Sequence, residues 1–269
     1  MSFRDVYGRT HQLDAPTVEV IATRLEARSN SDRYMDMLHQ YLGALDLTAA
    51  RDVLALGCGT GVEVRELLRQ PSFAGKVTAV DISPILIETG KRVAAQQGFA
   101  DRIQWLVDDA QKLGFPDGTF DMVIAHTLIS HVPEPDEVIR QAARVVRPGG
   151  KVVVFDGDYA TLTFGTDPDM DNKIISALIA NPRVLRRLPT MFKDAHLKLV
   201  DSHGWALTEI GHADFFLAAL QSFSVLLPKA GAETPERVDA FVTGQLRASE
   251  GGTFFAGYNF YVMIGEQAG

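Results

Sequence analysis

Cysteine is almost missing from this chain, with a single residue, Cys58, in 269. That excludes an intrachain disulfide, and no Cys/His set at ligand spacing offers a zinc site, so no metal is expected. No run of 18 apolar residues occurs, which opposes insertion in a membrane. The first ten residues carry Arg4, Asp5 and Arg9 instead of an apolar signal core. An excess of basic charge is lacking too: 26 Lys and Arg face 34 Asp and Glu, a net charge of −8. Nucleic acid is therefore not an expected partner, because phosphate backbones demand clustered cations. The one basic cluster, Arg183, Arg186 and Arg187, reads as a solvated helix face. Repeats and low-complexity tracts are absent. What remains is a cytoplasmic protein, compatible with homo-oligomer formation. Its length permits one large α/β domain, or one domain with an insertion.

The most informative stretch present is Asp52 to Gly61, Asp-Val-Leu-Ala-Leu-Gly-Cys-Gly-Thr-Gly. An apolar run breaks into glycines at alternate positions, 57, 59 and 61, and a helical pattern starts at Val62. This reads as a buried strand, a tight turn and a helix N-terminus, with bare backbone open to a ligand. The Gly-x-Gly-x-Gly spacing differs from the nicotinamide-site pattern Gly-x-Gly-x-x-Gly, and no phosphate-loop Lys follows. The pattern suits a nucleoside cofactor without a phosphate chain.

Three further pieces follow in order. Val77 to Asp81 is a strand-like run ending in an acid, about 20 residues past the glycines. Asp108-Asp109-Ala110 precedes Phe115 to Asp121, and Val145 to Val154 holds an Arg-Pro-Gly-Gly turn and a strand. Together with Gly57 to Gly61, these resemble the motifs of class I S-adenosylmethionine-dependent methyltransferases, of the type found in quinone and secondary-metabolite pathways. The resemblance runs from about Arg51 to Asp156, under half of the chain. It implies S-adenosylmethionine as cofactor and methyl transfer to oxygen, nitrogen or carbon of a small, partly apolar acceptor. It also implies a Rossmann-like, seven-stranded, mostly parallel sheet with helices on both faces.

Strand and helix patterns alternate from residue 51 to 156, as a parallel sheet requires. Expected strands are Val53–Leu56, Val77–Val80, Ile103–Val107, Phe120–Ala125 and Lys151–Asp156; Leu197 to Ile210 reads as a strand followed by the approach to another, and Phe254 to Ile264 is strand-like. The resemblance implies that the final strand is antiparallel. Residues 1–50 read as two amphipathic helices separated at Ser29 to Asp32, forming an N-terminal lid over a domain spanning 51–269. The interval 157–195 breaks the rhythm and reads as an inserted helical substrate cap.

The resemblance assigns the cofactor turn to Gly57, Cys58, Gly59, Thr60 and Gly61, and the ribose hydroxyls to Asp81, with Ile82 on the adenine face. Asp109 should accept from the adenine amino group, with Asp108 as its neighbouring alternative and Ala110 supplying a backbone N–H. His126 ends the fourth strand at the cleft, and Arg28, or else Arg33, is expected to reach the cofactor carboxylate. Ala55 stands where many relatives carry an acid. His131 is the candidate base, since histidine titrates near neutrality; Asp158 is the second catalytic candidate, and His126, Asp156, Tyr159, His11 and Tyr7 compete. An acceptor pocket is expected among Phe164, Phe192, Phe215, Phe216, Phe223 and Phe254. Two other readings are a cofactor-binding regulatory or scaffold protein and a dinucleotide-dependent oxidoreductase, which the glycine spacing opposes.

Overall fold

Alternating side chains of one strand feed two hydrophobic layers. In Asp52–Leu56 (β1), Val53 and Ala55 join one buried cluster while Leu54 and Leu56 join the other. A strand covered on both faces needs a continuous apolar run, which is how this segment reads. The computed structural model describes residues 5–268.

β1 pairs in parallel with Lys76–Asp81 (β2) on one side and Phe120–His126 (β4) on the other. Ile103–Val107 (β3) lies beyond β2, and Val146–Phe164 (β5) beyond β4. Phe254–Gln267 (β7) runs antiparallel between β5 and Leu197–Gly211 (β6), giving the order β3-β2-β1-β4-β5-β7-β6. The sheet order reverses beside β1, where β1 and β4 diverge to their crossover helices. A crevice opens there past the carboxyl ends of the strands.

The first helical layer comprises Ala15–Ala27 (α1), Asp32–Ala44 (α2), Val62–Arg69 (α3) and Pro84–Gln96 (α4). α1 starts where Asp14 accepts from the Thr17 N–H at 3.0 Å, with Pro16 preset for the first turn. Ser31 does precede α2, but its hydroxyl is buried with no hydrogen-bond partner. Pro135–Val145 (α5) packs on the opposite sheet face.

The interval 157–195 differs from the expected cap. Residues 157–164 continue β5, because β7 runs alongside and pairs Thr163 with Gly257 and Phe164 with Ala256. Pro168–Leu178 (α6) then packs near β5 and Phe215–Lys229 (α8), whereas Leu188–Asp194 (α7) packs on the other sheet face with α5. The segment is therefore divided between the two layers. Pro235–Glu250 (α9) covers α8. Among the described residues, no helix is long and apolar enough to cross a membrane.

Candidate active site

At the end of β1 the chain turns through three left-handed glycines, with φ of +61° at Gly57, +53° at Gly59 and +76° at Gly61. Only glycine adopts these values without strain. Asp81, at the end of β2, braces the turn: one carboxylate oxygen accepts from the Gly59 N–H and the other from the Ser83 N–H, each at 2.8 Å. Burial raises the Asp81 carboxyl above the usual range, while those two N–H donors act in the opposite direction.

Gly61 has a different task from the expected one. It is not part of the cleft wall; a Cβ there would lie 2.5 Å from the Trp105 ring. Its bareness lets α3 approach β3. Gly57 and Gly59 do line the cleft, together with Cys58 and Thr60. The Cys58 thiol is pushed up by burial, as expected of a packed thiol rather than a reactive one.

The crevice at the switch point has a volume of about 960 Å³, including space open to solvent. Asp81, Ile82, Asp108, Asp109 and Ala110 form its wall at the ends of β2 and β3. Asp109 folds back to accept from the Gln111 N–H at 2.9 Å, and Asp108 accepts from the Asp109 N–H at 2.9 Å. Both carboxylates stand in the cleft wall, each tied to a neighbouring backbone N–H.

Leader residues close the opposite wall, including Tyr7, Leu25, Arg28 and Tyr34. Arg28 donates to Thr127 Oγ1 at 3.0 Å, which aims the guanidinium across the cleft. Arg33 is directed elsewhere, to the Thr208 carbonyl. Thr127 has φ of +50°, an unusual left-handed conformation for a branched residue, located just past β4.

His126 reaches the cleft floor with both ring nitrogens occupied: the Tyr34 oxygen lies 2.6 Å from Nε2 and the Tyr41 oxygen 2.8 Å from Nδ1. Burial holds its pKa well below the usual value, and the ring stacks on Phe155 at 4.7 Å. A neutral ring can accept from one phenol and donate to the other. His126 is thus a cleft floor rather than a free base.

His131 lies in the cleft wall, and its Nδ1 is 2.9 Å from Asp5 Oδ2. Asp5 has a fully buried carboxylate that also accepts from the N–H groups of Tyr7, Gly8 and Ala180. Nothing in the local sequence marks Asp5, which is 126 residues away from its partner. Asp156, also expected nearby, accepts from the Ser130 N–H and hydroxyl and from the Gly157 N–H, so it shapes the loop that carries His131.

Asp158 is not brought to the cleft. Its carboxylate is ion-paired with Arg186 at 2.8 Å, away from the cleft wall. His11 is exposed and bonds to Gln12, while Tyr7 does join the wall. Of the expected aromatic set, Phe164, Phe215, Phe216 and Phe223 line a second chamber with Tyr159 and Tyr258. Phe254 is buried behind Phe216, and Phe192 belongs to the opposite layer.

The described cleft wall contains one cation, Arg28, and four acids, Glu63, Asp81, Asp108 and Asp109. This balance disfavours a pyrophosphate and suits a cationic nucleoside. Two buried polar atoms of the turn and helix start, Thr60 Oγ1 and Glu63 Oε1, have no partner, as groups awaiting a polar ligand do. Residues 53–150 match the methyltransferase domain family Methyltransf_25.

Residues 53–150 therefore carry a methyltransferase domain of the class I S-adenosylmethionine-dependent kind.

The chain is 29% identical over 204 residues to methyltransferase GfsG of Streptomyces halstedii, covering 73% of this chain and 69% of that one. It is 35% identical over 129 residues to sterol 4-C-methyltransferase strm-1 of Caenorhabditis elegans, covering 48% of this chain but only 36% of the relative. In fold it is similar to YcgJ of Bacillus subtilis, with a TM-score of 0.61 at 17% identity over 86% of this chain and 98% of that one. The residues present fit S-adenosylmethionine: Asp81 braces the glycine turn, Asp108 and Asp109 stand past β3, and Arg28 enters the cleft from the leader.

Proposed function

We propose that this methyltransferase transfers the methyl group to a hydroxyl oxygen of a small, partly apolar acceptor. The observation that carries the reading is the Asp5–His131 pair between two cavities. His131 and Tyr7 line the cofactor cleft, their rings 5.0 Å apart. The same His131 ring is 5.8 Å from Tyr159, which lines the aromatic chamber, and Arg24 of that chamber sits 5.3 Å over the Tyr7 ring. An acceptor in the chamber would thus meet the cleft at His131.

Bound S-adenosylmethionine supplies an activated methyl group with a good leaving group, so the protein must align the acceptor and move one proton. The Nδ1–H of His131 donates to Asp5, which leaves Nε2 as the basic nitrogen. Asp5 holds the ring and stabilises the imidazolium formed when Nε2 takes the acceptor's proton. Arg28 would pair with the cofactor carboxylate, Asp81 with the ribose and Asp108 or Asp109 with the adenine amino group. The leader from residue 5 to 50 acts as the lid, since Tyr7, Leu25, Arg28 and Tyr34 line the cleft. The aromatic chamber supports an apolar acceptor, and the sterol in the name of one relative is of that kind.

A panel of apolar phenols and alcohols, offered with methyl-labelled cofactor, tests the reading. Label should appear on oxygen, and His131→Ala should lower turnover on the same compounds. Label transfer only to carbon or nitrogen would overturn the choice of oxygen.

A further inference from the structure

Glu63 is a carboxylate without a job inside the protein. It sits in the first turn of α3, is 7% exposed, and lines the cofactor cleft. Its Oε1 is buried with no hydrogen-bond partner among the described residues, whereas Arg65 and Glu66 of the same helix are paired. Arg65 points away, to Glu26 and the Thr60 carbonyl. Strand β1 provides no alternative, because Ala55 is the buried residue near its carboxyl end.

A buried carboxylate with an open acceptor position, facing a ligand cavity, costs free energy unless a donor arrives. The amino-acid tail of S-adenosylmethionine carries such a donor in its α-ammonium group. Resting on the cofactor reading above, we propose that Glu63 binds the α-ammonium of the cofactor while Arg28 takes its α-carboxylate. Both residues line the same cleft, together with Tyr34 and His126. The two form a clamp for a zwitterion, and Glu63 selects ligands that carry an amine.

The charge environment of Glu63 adds a measurable consequence. Burial pushes its carboxyl up to about 8, opposed by its own backbone N–H and the nearby Arg65 and Arg28, with Asp81 acting in the same direction as burial. Tyr34 and Tyr41 of α2 and the Cys58 thiol face it as neutral groups. At neutral pH the free protein then holds a proton on Glu63, and the arriving ammonium expels it. Binding is coupled to proton release.

Calorimetry of S-adenosylhomocysteine at pH 7, in two buffers of different ionisation enthalpy, reads this directly. Wild-type protein should release between half a proton and one proton. Glu63→Gln should bind about tenfold more weakly and release correspondingly less, with Glu63→Asp in between. 5′-Methylthioadenosine, which lacks the amino-acid tail, should bind both proteins equally and without that release. Unchanged affinity and proton count in Glu63→Gln, with Asp81→Ala still impairing binding, would overturn the Glu63 assignment alone. Failure of wild-type protein to bind S-adenosylhomocysteine would overturn it together with the cofactor placement.

Discussion

Asp5 Oδ2 and His131 Nδ1 lie 2.9 Å apart and join the leader to the loop after β4. The contact sets the tautomer of a cleft histidine through a carboxylate 126 residues earlier in the chain. His131→Ala should lower kcat by about 10²–10³-fold, the range of a lost general base. Affinity for S-adenosylhomocysteine should change less than twofold. Full turnover in the variant would remove His131 from the chemistry.

Asp5→Asn keeps the shape of the dyad but not its charge. Turnover should drop about tenfold or more on general-base grounds. Wild-type turnover, with only thermal stability reduced, would make Asp5 a structural tether.

Asp81→Ala removes both the brace on Gly59 and the expected ribose acceptor. Cofactor affinity should fall by about 1–3 kcal/mol, the value of charge-assisted hydrogen bonds. Calorimetry decides, and undiminished affinity would detach Asp81 from the ribose.

Glu63 also predicts how stability depends on pH. Its folded carboxyl keeps a proton up to about pH 8, whereas the unfolded group ionises from about 4.5. Between those values the unfolded chain binds fewer protons, so wild-type stability declines as pH rises through the window. Glu63→Gln removes the decline. Its Tm advantage over wild type should be small near pH 5 and grow to several degrees by pH 8, where about 1 kcal/mol shifts Tm by a few degrees in a chain of this size. An advantage independent of pH would contradict the buried, protonated carboxyl.

Gly61→Ala tests packing rather than binding. The added methyl would collide with Trp105 and would hold an L-residue at φ of +76°. Overpacking and left-handed strain together should cost about 2–4 kcal/mol in denaturant unfolding. A neutral effect would mean that α3 and β3 separate more freely than their close packing implies.

Much of the frame was legible in the chain because its signals are local. An apolar run ending in alternate glycines encodes a buried strand and its turn, and the acid at 81 and the pair at 108 and 109 fall at strand ends by alternation alone. The seven-stranded sheet and its antiparallel last strand were expected from the family resemblance, and the structure has both. The length of β5 was not: only its pairing with β7 carries the strand on to Phe164.

The residues that complete the site were decided by tertiary structure. Asp5 meets His131 only after the leader packs against the loop beyond β4, and Asp158 is drawn to Arg186 by a return of the chain 28 residues later. Gly61 serves Trp105, and Glu63 stays unpaired, for the same reason. Sequence spacing sets which way a side chain leaves its own helix or strand, but its partners come from elements that sheet closure brings within a few ångströms.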